Sequence, residues 1–87
     1  MGARAIYKPL PELPEALRKR RIELVAVARF AVAADGGAKV ELVEPTPYPG
    51  LNQVLLDTLR RWRFFPAMEN GHAVASTLDI RIPLSVR

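Results

Sequence analysis

The 87-residue chain contains no cysteine. Disulfide staples, thiolate metal sites and cysteine nucleophiles are thereby excluded. There is a single histidine, His72, so no cage of several histidines can hold a metal. No stretch approaches the ~18 consecutive apolar residues that a membrane-spanning helix needs. The phosphate-cradling patterns G-x-x-x-x-G-K and G-x-G-x-x-G are missing. Glycine, with 5 residues, is too scarce for a flexible linker. The start, Met1-Gly2-Ala3-Arg4, lacks the apolar core of a signal peptide and reads as the cut end of an expressed fragment.

What is present is an ordinary globular mix, 49% hydrophobic and 25% charged. A chain this size buries roughly 64% of its unfolded surface, enough for one modest core. Residues 1–8 read as a flexible arm or expression remnant, and residues 9–87 as one domain. The net charge of +4 equals the run Arg18, Lys19, Arg20 and Arg21, without which the chain balances. Such a run is ordinarily a solvated helix face, although it can also attract nucleic acid, anionic lipid or an acidic partner.

Pro9, Pro11 and Pro14 predict an extended segment leading into a short helix over 14–21. Residues 22–34 alternate at period two, with Ile22, Leu24, Ala26, Ala28, Phe30 and Val32 on one face. Their other face is half apolar, which predicts partial cover. Asp35-Gly36-Gly37 signals a hairpin into a strand over 38–44. A helix is predicted over 51–64, capped by Asn52 and burying Leu55, Leu59 and Trp62. A last strand over 73–86 directs Leu78, Ile80, Ile82 and Leu84 inward. The expected fold is a two-layer α+β domain of order α-β-β-α-β, a three-stranded antiparallel sheet with two helices on one face. The first strand is expected at its centre.

Chemistry finds little footing. His72 follows the Asn70-Gly71 turn with no serine or carboxylate tied to it by motif, and Ser76 and Ser85 lack nucleophile-elbow glycines. The carboxylates are scattered. No enzyme activity, cofactor or metal is expected. Nucleic-acid binding is not expected either, because Phe30 is the one aromatic predicted in a strand.

The segment Leu59-Arg60-Arg61-Trp62-Arg63-Phe64-Phe65-Pro66-Ala67, followed by Asn70-Gly71, resembles the signature of the TonB C-terminal domain family. Phe30, Val32 and Asp35-Gly36 resemble that family's first hairpin, and Pro14, Leu17 and Arg18 to Ile22 its opening segment. The likeness spans about residues 9–86. Leu13, Leu24 and Pro45-Thr46-Pro47 depart from the pattern. The motif itself reads as structural: Trp62 in the core, with Phe64, Phe65 and Pro66 sealing the corner after the helix.

The resemblance implies a periplasmic domain of an energy transducer. It would grip the N-terminal peptide of an outer-membrane transporter and transmit force for siderophore, haem or cobalamin uptake. It also implies a parent with an inner-membrane anchor, a Pro-rich spacer and an ExbB–ExbD motor partner. A TolA-like envelope domain is the alternative, followed by a nucleic-acid module using Arg18–Arg21. The grip is expected at Thr77, Leu78, Asp79, Ile80, Arg81 and Ile82. The family adds Pro11, Glu12 and Leu13. Arg18–Arg21 would steer the partner electrostatically. The apolar residues of the first strand would favour a homodimer of the fragment.

Overall fold

A computed structural model describes residues 2–19 and 21–86, leaving aside the side chains of Ala16 and Val86. The chain runs β1 (Arg4–Tyr7), α1 (Glu15–Arg18), β2 (Ile22–Val32), β3 (Ala38–Glu44), α2 (Pro49–Leu59), β4 (Arg63–Phe65), β5 (Ala67–Glu69), β6 (His72–Val74) and β7 (Ser76–Val86). The main sheet has order β3-β2-β7 and is antiparallel throughout. The first strand of the expected sheet is therefore central. Two further two-stranded sheets, β1-β4 and β5-β6, were not expected.

The inner face of the sheet builds the core. Ala26, Ala28, Phe30 and Val32 of β2 meet Leu51, Leu55 and Leu59 of α2, all essentially inaccessible to water. Each large aliphatic side chain so buried contributes about 1.5–3 kcal/mol. The outer face is mostly open, with Val27 alone half-buried: Val25 is 46% exposed, and Glu23, Arg29 and Ala31 are exposed as well.

Among the described residues only one helix is longer than a single turn, so the expected two-helix arrangement is corrected. α1 is a single turn of four residues. Leu17 is its one described residue buried in the core, too little apolar contact to carry a longer helix. α2 starts at Pro49, a residue preorganised for the first helical position. Asn52 is thus not the cap. It lies inside the first turn and binds back to the preceding loop: its Oδ1 accepts from Thr46 N at 2.8 Å and from Thr46 Oγ1 at 2.7 Å. α2 ends at Leu59, because Arg63–Phe65 are taken up as a strand by β1. Arg4–Tyr7, expected in a flexible arm, supply that partner. The predicted last strand divides, its first residues pairing with Ala67–Glu69 around Asn70 and Gly71 at φ 52° and 78°.

Candidate functional site: the outer edge of β7

Which backbone groups of β7 are free follows from the β2–β3 hairpin. Ala33 N–H donates to Gly37 O at 2.7 Å, so odd-numbered residues at that end of β2 turn their backbone groups toward β3. Groups alternate along a strand, so the even-numbered residues of β2 turn toward β7. The register pairs Ala26 with Ile82, Ala28 with Ile80 and Phe30 with Leu78. Even residues of β7 are thereby engaged. Thr77, Asp79 and Arg81 direct N–H and C=O outward. Pro83, opposite Val25, falls on the same outward set, where its missing N–H costs the sheet nothing.

Among the described residues, no strand pairs with this outer edge. Burial along it is graded. Ile82 and Leu84 are buried, while Leu78 and Ile80 are half-buried and leave apolar surface beside the free backbone. Asp79 is held on the open face by Arg29, with Nε and Nη2 at 2.9 and 3.1 Å from its two oxygens. The hydrogen bond from Arg29, helped by its charge and opposed by desolvation, holds the Asp79 carboxyl below the usual aspartate range. The same bond raises Arg29.

The other predicted site residues lie elsewhere. Leu13 packs against the core, and its carbonyl accepts from Arg18 Nε at 3.1 Å. Pro11 is half-buried, and Glu12 borders a groove with Pro9, Leu10, Val54 and Arg61 in which β7 takes no part. Arg18, Lys19 and Arg21 are exposed at the start of β2, and Arg20 lies outside the described residues.

Trp62 is buried and stacks on Phe30, centroids 5.4 Å apart and planes at 14°. Its indole N–H donates to Pro9 O at 2.9 Å, tying the N-terminal arm to the core. Phe64 is buried beside both rings. Phe65 does not seal the corner: it is 52% exposed, with the Arg4 guanidinium 5.3 Å above its ring. Pro66 is half-buried. Phe30 is wholly enclosed and offers no stacking platform. Among the described residues no group of three His, Asp or Glu side chains could hold a metal, and no helix is long and apolar enough to cross a membrane.

Sequence reasoning missed β1 and with it the exposed Arg4–Phe65 pair. Arg63-Phe64-Phe65 carries no polar–apolar alternation that could have announced the strand.

No curated protein matches the chain significantly. The family described as Gram-negative bacterial TonB protein C-terminal matches residues 9–83. That span takes in the hairpin, α2, the tryptophan motif and β7 up to Pro83. The chain belongs to this TonB C-terminal family and is, as such, a Gram-negative periplasmic domain of the TonB type.

Proposed function

We propose that the domain captures the N-terminal peptide of an outer-membrane transporter by adding it as a fourth strand along β7. The domain then passes force to that transporter for siderophore, haem or cobalamin uptake. The role is mechanical, with no catalytic residue. An inner-membrane anchor and an ExbB–ExbD motor belong to the same reading, through a longer parent.

The observation that carries it is the unpaired outer edge of β7 beside half-buried Leu78 and Ile80. Thr77, Asp79 and Arg81 each offer one donor and one acceptor. At about 0.5–1.5 kcal/mol net per bond, a full set contributes about 3–9 kcal/mol before the peptide's ordering cost. Isolated-peptide affinity is then weak, about micromolar at best. Peptide side chains covering Leu78 and Ile80 add apolar burial. Pro83 ends the template and discourages indefinite edge pairing.

Amide shift mapping with a transporter-derived peptide tests this. Shifts centred on residues 76–82 are expected. Thr77→Pro or Asp79→Pro should abolish binding while the domain stays folded, and Asp79→Asn should change it little. Shifts confined to the hairpin at Asp35–Gly37 would refute the reading.

A further inference from the structure

The β1–β4 ribbon carries a second exposed feature. Cross-strand neighbours are Arg4 with Phe65 and Tyr7 with Arg63, so cation faces aromatic in both pairs. Ala5 and Phe64 turn toward the core, leaving these four on the outside, and all four are exposed. A register irregularity between Ala5 and Tyr7 leaves Ile6 exposed as well, at 55%. Lys8 and Leu10, just past the strand, are exposed. Residues 2–11 and 60–65 contain no acidic residue. The ribbon thus sets Arg4, Arg63, Tyr7 and Phe65 together on its outer face with no carboxylate in either strand, while Glu12 and Asp57 lie in the groove that Leu10 borders.

We infer that this ribbon is a docking face for an anionic phospholipid surface. Charge calls for an anionic partner. Exposed Ile6, Tyr7, Phe65 and Leu10 call for one that also accepts apolar side chains. A bilayer interface does both: aromatic rings settle at headgroup level while arginine and lysine reach the phosphates. A nucleic acid fits less well, because the Arg4 guanidinium already lies over the Phe65 ring where a base would stack. A purely acidic peptide would meet the cations but leave the exposed Ile6, Tyr7 and Phe65 uncovered. A periplasmic domain lies between two bilayers, so such a surface is within reach. The inference is independent of peptide capture at β7.

The test is co-sedimentation of the chain with vesicles of equal parts phosphatidylglycerol and phosphatidylcholine, against phosphatidylcholine alone. Binding to the anionic vesicles only is expected, weakening as salt rises. Arg4→Gln with Lys8→Gln should lose about fivefold per charge. Tyr7→Ser with Phe65→Ser should leave a weaker, more salt-sensitive remainder. Leu10→Ser, outside the paired strand, should weaken binding without touching the fold, and unchanged melting temperatures serve as the check. Thr77→Pro should bind vesicles like the parent, so this proposal and the β7 reading fail separately. Equal binding to neutral vesicles overturns it, as does no binding to anionic ones. So does loss on changing Arg18, Lys19 and Arg21 to glutamine while the ribbon variants bind normally. Tighter binding to single-stranded DNA or a polyglutamate peptide than to vesicles also overturns it.

Discussion

Trp62 concentrates several interactions, and its replacement has a calculable cost. The indole is 7% exposed, stacks on Phe30 at 5.4 Å, touches the Phe64 ring at 6.4 Å and donates to Pro9 O. Trp62→Ala should cost about 3–5 kcal/mol, the range for truncating a large buried aromatic. A chain of 87 residues has a total stability of about 4–13 kcal/mol at typical values per residue. The change therefore removes between a quarter and all of it. Trp62→Phe separates the contributions. It keeps a ring against Phe30 but loses the bond to Pro9, about 0.5–1.5 kcal/mol, and some buried area, about 1–2 kcal/mol. Urea unfolding followed by far-ultraviolet circular dichroism reads both variants. With a slope of about 1–3 kcal/mol per molar, Trp62→Phe should lower the midpoint by about 1 M. Amide exchange at Ala5 and Tyr7 should quicken in Trp62→Phe, because the arm loses its tether. An unchanged midpoint in Trp62→Ala, with peptide binding lost, would show that the ring serves recognition and not the core.

Gly36 sits at φ 90°, and a Cβ there would lie 2.6 Å from the Phe64 carbonyl oxygen. Gly36→Ala should cost about 1–3 kcal/mol from the backbone angle alone, with the clash added, read as a lower melting temperature. Asp79 is held below its ordinary pKa, so its pair with Arg29 favours the fold at neutral pH and is lost as pH falls through the depressed value. The melting-temperature gap between the parent and Asp79→Asn should accordingly close in strong acid; a gap that widens there contradicts the assignment. Thr46 is buried, and its Oγ1 donates to Asn52 Oδ1 and accepts from Tyr48 N. Thr46→Ala should destabilise by about 1–3 kcal/mol in denaturant titrations. Changing Arg18, Lys19, Arg20 and Arg21 to glutamine should slow peptide association at low salt and leave dissociation nearly unchanged in surface-binding kinetics.

Period-two patterning located the main sheet because one face is strictly apolar. Ile22 through Val32 and Leu78 through Leu84 could not be shifted by one residue without turning Phe30 or Ile82 to water. Asp35-Gly36-Gly37 then joined the first two strands, and placing the first strand centrally followed. The helix boundaries were less legible. Arg60, Arg61 and Arg63 suit a helix end by charge, yet the helix stops at Leu59 since pairing with β1 satisfies the backbone of Arg63–Phe65 instead. That pairing joins residues about 60 positions apart, a contact for which local propensity gives no sign. The prolines break regular structure only from Pro9 onward, so residues 1–8, expected as a flexible arm, are free to supply β1 over Arg4–Tyr7.

The edge of β7 raises a different limit. Its free groups are backbone, identical in every residue but proline, so no side-chain motif can announce them. What the sequence can disclose is the exception. Pro83 lacks the one group whose position is in question, and its tolerance fixes which way the whole strand faces. The hairpin bond from Ala33 to Gly37 reaches the same orientation from the opposite end of the sheet. Two local facts about backbone donors, one an absence and one a bond, thus define an open strand edge that composition and side-chain chemistry leave blank. The inward residues need only be apolar and the outward ones need only avoid proline before Pro83. An edge of this kind therefore tolerates wide change in sequence while keeping its geometry.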